Sequence, residues 1–277
     1  MDSVNLETYL ARIGYTGPRE PTLDVLSAVH HAHLRAIPYE NLDVHLGKPI
    51  LLAENRFFQK LVLERRGGWC YEMNGLLAWA LRELGFQLDC LAGAVPRASA
   101  GPNADGNHLV LLVHLPPEGE FIADVGFGDG FLRPIPLREG TYVQDGFEFR
   151  LERGPEDGRW TVHNHEHGAA QTYDFGLQPH RLEDFTPRCD WLQTSPESGF
   201  VQKTVCQRLT PDGIITLREA VFKRVARNGV QQRVIETEAE YRRVLREAFG
   251  LELDVSELWP KVHQRHQDWV AARGLAG

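Results

Sequence analysis

Cys70, His108 and Asp124 are the residues of this chain whose types and settings could together do covalent chemistry. A thiol that attacks a carbonyl needs a base, and the base needs a third group to orient it. Cys70 follows Gly67-Gly68, where the backbone can turn sharply, and opens a helical pattern through Leu76, Leu77, Ala80, Leu81 and Leu84 that Gly85 closes. A helix N-terminus offers unpaired N–H groups and the positive end of the dipole. Both favour a thiolate, and the same groups can stabilise an oxyanion. The expected pKa of Cys70 therefore lies below the ordinary ~8.5 of a cysteine. His108 begins the apolar run HLVLLVHL, and Asp124 ends Phe121-Ile122-Ala123-Asp124 just before Val125-Gly126-Phe127-Gly128. Consecutive strands joined by a turn are usually neighbours, which brings His108 and Asp124 side by side.

Other candidate groups are weaker. His163, His165 and His167 alternate and would share one face of a strand, as metal ligands do, but no local acidic or cysteine partner closes such a site. A polar sheet face is the expected reading, and no metal is expected. His30, His31 and His33 lack the i, i+4 pair and acidic partner of a helical zinc motif. Gly126-Phe127-Gly128-Asp129-Gly130 lacks the Lys-Ser/Thr of a phosphate loop and reads as a turn that lets a ligand approach the backbone. Cys90, Cys189 and Cys206 read as packing residues.

The elements that must hold the three residues divide the chain into blocks. Residues 1–85 read as helical, with Thr22 capping a helix through Ile37 and a second helix over Glu54–Arg65. Residues 86–194 change to strand period. Gln87–Val95, His108–Leu115, Glu120–Val125, Tyr142–Leu151, Arg159–His165 and Gln171–Phe175 predict an antiparallel sheet or small barrel. Residues 195–277 are mixed. Arg227-Asn228-Gly229 predicts a hairpin, Glu238–Phe249 a helix closed by Gly250, and Ser256 the cap of a final helix. With 277 residues, 42% hydrophobic and 25% charged, the composition is that of a soluble globular protein packed as one unit.

Charge and apolar pattern bound the partners. The formal net charge of −8 argues against non-specific nucleic-acid binding. The last block, with 13 basic and 11 acidic residues, is the side better suited to an anionic ligand. No apolar run approaches the ~18 residues of a membrane span, and no leader is expected in MDSVNLETYL. Four cysteines without a CxxC pair fit reduced thiols in a cytosol.

Six ordered segments resemble the arylamine N-acetyltransferase family over nearly the whole chain. They are Tyr9-Leu10-Ala11-Arg12-Ile13-Gly14-Tyr15, Ile37-Pro38-Tyr39-Glu40-Asn41-Leu42, Arg65 to Asn74 (RRGGWCYEMN), Asn107-His108-Leu109-Val110, Asp124-Val125-Gly126-Phe127-Gly128, and Thr194 to Phe200 followed by Cys206-Gln207-Arg208. The resemblance implies an α+β fold: an N-terminal helical bundle, a central antiparallel β-barrel and a C-terminal α/β lid, with a Cys-His-Asp triad related to that of papain-like proteases and transglutaminases. It implies that Cys70 takes an acetyl group from acetyl-CoA, activated by His108 and Asp124. An arylamine, arylhydroxylamine or hydrazine then attacks the thioester in a ping-pong cycle, with no metal. It also implies that Tyr39, Val95, Phe127 and Phe200 lie along the acceptor pocket or near the thioester, with Glu40, Asn41, Arg66 and Asn74 behind them. Two other readings use the same residues: a hydrolase or transglutaminase-like enzyme, and a binding protein for aromatic small molecules.

Overall fold

A computed structural model of the chain describes residues 4–96, 104–154, 158–226 and 229–273. The helical first block contains α1 (Leu6–Ile13), α2 (Leu23–Ala36), the single turn α3 (Leu42–His45), α4 (Glu54–Phe57) and α5 (Cys70–Glu83). Thr22 caps α2 as expected, its side chain accepting from the Val25 N–H. The helix predicted over Glu54–Arg65 starts as α4 and widens into a π turn at Phe58–Leu63, and Arg65 then reverses the chain with φ of 53°. Helix α5 is buried from Cys70 to Leu81 and forms the centre of the block. Gly75 gives it close contact with α4, since a Cβ there would run into the ring of Phe57.

The middle of the chain builds β2 (Gln87–Ala94), β3 (His108–Leu115), β4 (Gly119–Ala123), β5 (Ile135–Pro136), β6 (Gly140–Gln144), β7 (Phe147–Arg153), β8 (Trp160–His163) and β9 (Thr172–His180). They form one eight-stranded sheet in the order β5-β4-β3-β2-β9-β8-β7-β6. Its edge strands β5 and β6 are consecutive in the chain. The Gln144 side chain on β6 accepts from the N–H groups of Leu132 and Arg133, just before β5, at 2.7 and 2.9 Å, which brings the two edges together in a nearly closed barrel.

Two expectations change here. Tyr142–Leu151 is not one strand but the hairpin β6–β7, turned at Asp145-Gly146, where both residues have positive φ (52° and 90°), the signature of a two-residue type I′ turn. The strand predicted over Arg159–His165 ends at His163 because His165 turns inward to bond Asp129.

A second sheet of five strands has the order β1-β10-β11-β12-β13, from β1 (Tyr39–Glu40), β10 (Val205–Thr210), β11 (Gly213–Arg218), β12 (Val221–Ala226) and β13 (Gly229–Val234). The predicted hairpin pairs β12 with β13; residues 227 and 228 of its turn lie outside the described residues. Its first strand comes from the helical block, with Tyr39 opposite Gln207 and Glu40 opposite Cys206. The remaining helices are α6 (Thr186–Thr194), α7 (Gly199–Gln202), α8 (Glu238–Val244, continued by a π turn to Phe249) and α9 (Leu258–Ala272). Ser256 does not cap α9: its N–H is taken by Asp254 and the helix begins two residues later. One large core joins the helical block to the barrel, and a smaller one around Tyr241, Phe249 and Trp259 lies beneath the five-stranded sheet.

Candidate active site

Cys70 is the first residue of α5, and the turn before it is tightly built. Gly68 N–H donates to Pro38 O, and Glu40 N–H donates to Gly68 O at 2.9 Å, which ties the turn to β1. The side chain of Trp69 cannot accept a bond from the helix, so the N-terminus is served from inside. Glu72 Oε2 accepts from the Trp69 N–H at 3.2 Å, the return half of a capping box. Facing Cys70 is the loop after β4. A Cβ on Gly126 would lie 2.7 Å from the Cα of Cys70, so only glycine allows this approach.

His108 and Asp124 meet as expected from neighbouring strands. His108 Nε2 lies 2.7 Å from Asp124 Oδ2 and donates to it, because an ionised carboxylate only accepts. That leaves Nδ1 of His108 as the nitrogen able to take a proton. Asp124 is locked on its other side, with Oδ1 accepting from Asn74 Nδ2 and Gly126 N–H, both at 2.8 Å. Asn74 also donates to Leu109 O and accepts from Val125 N–H, so one amide on α5 clamps the ends of β3 and β4 together. Burial opposes the charge of Asp124, yet His108 and these donors hold its carboxyl below the usual range. The imidazole ring of His108 packs in a three-ring cluster with Phe127 and Tyr173, whose ring centres are 5.5 and 5.0 Å away.

His30, set aside in the sequence, supports this pair from behind. Asp124 N–H donates to His30 Nε2 at 3.1 Å, which makes Nδ1 the protonated nitrogen that donates to Leu132 O. Burial pushes its pKa down to about 4, so it stays neutral and keeps that tautomer. No sequence pattern marks this role, since it depends on α2 packing against the loop after β4.

The thiol of Cys70 departs from expectation. It is buried with a relative exposure of 2%, and its Sγ lies 3.7 Å from Asn107 O. Burial pushes its pKa up, the opposite of the predicted direction, because the sulfur is almost wholly withdrawn from water while Asp124 adds negative charge nearby. A thiol in this setting becomes a thiolate by handing its proton to a neighbouring base. Cys90, Cys189 and Cys206 are buried too, with their pKa values raised by burial.

Cys70 and His108 line one cavity of about 410 Å³, and Tyr39, Val95, Phe127 and Phe200 line it with them. Asp124 lies behind His108 rather than on the wall. Val95 is held by Asn107, whose side chain pairs with both its N–H and its C=O at 2.8 and 2.6 Å. The five-stranded sheet supplies Gln207, Thr216 and Arg218 to the opposite wall. A larger cavity of about 640 Å³ near Asp145 and Pro211 contains none of these residues.

Asp129 also lines the cavity shared by Cys70 and His108, though the sequence showed it only as part of a glycine-rich turn. Its Oδ2 accepts from Ala169 N–H at 2.7 Å, and Asn164 donates to Oδ1 at 3.3 Å. Burial raises its pKa to about 6. The alternating histidines do not converge on a metal. His163 pairs with Glu152, His165 bonds the Asp129 carbonyl, and His167 lies beside Glu166. Among the described residues no helix is long and apolar enough to cross a membrane.

Comparison with known proteins agrees with this arrangement. Residues 22–258 match a family model described as N-acetyltransferase. An arylamine N-acetyltransferase of Mycolicibacterium smegmatis is 37% identical, covering 91% of this chain and 93% of its own. The pineal gland isozyme NAT-3 of Gallus gallus, also an arylamine N-acetyltransferase, is 34% identical over 91% of this chain and 95% of its own. Among solved structures, the Mycobacterium marinum arylamine N-acetyltransferase in complex with CoA aligns with a TM-score of 0.84 at 30% identity, covering 94% of this chain and 98% of that one.

Proposed function

The chain belongs to the arylamine N-acetyltransferase family of acetyltransferase enzymes, and from that premise we propose that it moves an acetyl group from acetyl-CoA to an aromatic amine through an acetyl-Cys70 intermediate. The observation that carries this reading is that Cys70 and His108 share the wall of one cavity while Asp124 holds the far nitrogen of His108 at 2.7 Å.

In the first half-reaction Cys70 Sγ attacks the acetyl carbonyl of the thioester as its proton passes to His108 Nδ1. Asp124 stabilises the imidazolium that forms. The tetrahedral intermediate expels CoA as a thiol, His108 returning the proton to the leaving sulfur. In the second half-reaction the amine attacks acetyl-Cys70, His108 takes the amine proton, and the thiol is released. Exchange of one thioester for another is nearly balanced in energy, and a weakly basic aromatic amine is unprotonated at neutral pH. The apolar faces of Val95, Phe127 and Phe200 suit a flat aromatic acceptor, with Tyr39 completing the wall. Arylhydroxylamines and hydrazines fit the same chemistry. We read residues 1–85 as the unit that carries the nucleophile, 86–194 as the unit that carries its base, and 195–277 as a lid, in a cytoplasmic enzyme that uses no metal.

Intact-mass measurement after incubation with acetyl-CoA tests the reading. The expected result is a single acetyl adduct that is absent in Cys70→Ala and discharged by an arylamine such as aniline. An unmodified protein with arylamine-independent CoA release would point to a hydrolase, and aniline binding without any adduct to a binding protein.

A further inference from the structure

Beneath the turn that presents Cys70 runs a chain of buried charges, none of which lines the cavity. Arg66 Nη2 donates to Glu40 and to Asp43, each at 2.8 Å. Lys60 Nζ lies 2.9 Å from Asp43 and 2.8 and 3.0 Å from the two oxygens of Glu72. The signs alternate along Glu40, Arg66, Asp43, Lys60 and Glu72, so three carboxylates face two cations and one negative charge is left over. The two ends of this chain grip the two glycines before Cys70. A Cβ on Gly67 would lie 2.7 Å from Glu40 Cγ, and one on Gly68 would lie 2.8 Å from Glu72 Oε2.

Glu72 has conflicting duties. Its carboxylate serves the Trp69 N–H and favours the start of α5, but it also sets a negative charge in the first helical turn, where the sulfur must become an anion. Lys60 spends its donors on the two carboxylates that flank it. Burial works against its charge, yet Glu72, Glu40 and Asp43 hold its pKa above the ordinary value.

We propose that Lys60 is a positioning residue for the reactivity of Cys70. By neutralising Glu72, it lets that carboxylate hold the first turn of α5 without opposing negative charge on the sulfur. The groups that face Cys70 from the other packed elements are His108 on β3, Asp124 after β4, Tyr39 on β1, Tyr71 on α5 itself and Cys189 on α6. The side-chain partners of Lys60 are Asp43 and Glu72, so its substitution acts first on the buried chain.

The inference rests on Cys70 as the nucleophile proposed above. Alkylation reads the thiol without turnover, so this inference can fail while acetyl transfer stands. The experiment measures the rate of Cys70 carbamidomethylation by iodoacetamide across pH 6–10, followed by peptide mass, in folded protein. Lys60→Met adds one net negative charge and should slow the reaction about tenfold, equivalent to about one pKa unit of thiolate. Glu72→Gln removes one and should speed it about threefold, while the double variant, with the parent's net charge, should stay within about twofold of the parent. A loosened turn would move both single variants in the same direction, and that outcome, or no change in either, overturns the proposal. Should Lys60→Met fail to fold, Lys60→Arg keeps the charge and should react within about twofold of the parent; a slower Glu72→Gln would then refute the idea.

Discussion

The two walls of the cavity are made by different means. The wall that carries His108 is β3, whose residues are all buried but for His114, and Asn74 ties its Leu109 carbonyl to the segment after β4. The wall opposite belongs to the five-stranded sheet, whose last strand, β13, is exposed along its whole length. The proposed reacting groups thus stand at a strand buried along nearly its whole length, whereas Gln207, Thr216 and Arg218 stand on a sheet that is packed at β10 and β11 and opens to solvent toward β13. Chemistry that needs fixed geometry is placed where movement is costly.

Asp124→Asn probes the rigid wall at its most sensitive point. With its oxygen kept on Asn74 and Gly126, the amide turns an NH₂ toward His108 Nε2, which must then accept, so the ring proton moves to Nδ1 and that nitrogen can no longer take a proton; turned the other way, the NH₂ meets the donors Asn74 and Gly126. Acetyl transfer should fall on the order of 10³–10⁴-fold with the fold retained, as measured by arylamine-dependent CoA release and circular dichroism. Gly126→Ala tests the approach of the same loop to Cys70. The added methyl has no free space, and the variant should lose about 1–3 kcal/mol in urea titrations together with most of its activity.

A pH experiment falls next in size. The folded pKa of Asp129, about 6, lies above its unfolded value near 3.8, so the native state binds more protons than the unfolded state between these limits. Its contribution is therefore fully present below the unfolded pKa and is lost as pH rises through the folded one. Asp129→Asn should remove that loss. The stability difference between variant and parent should shift in favour of the variant by on the order of 1–3 kcal/mol between pH 4 and 7. A difference independent of pH would show that Asp129 is an ordinary carboxylate. The smallest effect is expected at the far edge of the five-stranded sheet: Val234→Thr at an exposed position of β13 should change stability by less than about 0.5 kcal/mol. A large loss there would erase the contrast between the buried strand β3 and this sheet's open edge.

The sequence shows the residues proposed to react better than those that hold them. Cys70, His108 and Asp124 each fall where a helix or strand begins or ends, so their types and places can be read in a line of text. Lys60 cannot be read that way. A lysine between Gln59 and Leu61 looks like a solvent-facing residue, and its inward course depends on a π turn that no local pattern announces. Asp129 was hidden for a similar reason, since its partners Asn164 and Ala169 arrive from the loop between β8 and β9. The β6–β7 hairpin is hard to read although Asp145-Gly146 is a hairpin signal, because the first strand offers only Tyr142 and Val143 as apolar residues, too few to show a strand period of its own.

The pairing of β1 with β10 has a consequence for how the molecule comes into being. Tyr39 and Gln207 are partners, yet the whole barrel lies between them in the chain. Closing so long a loop carries an entropic penalty that local contacts do not share, and the contact delivers its benefit only once the intervening segments have already collapsed. The five-stranded sheet should therefore be completed late. On the ribosome, the edge offered by Tyr39 and Glu40 must wait, unpaired, until most of the chain has been made.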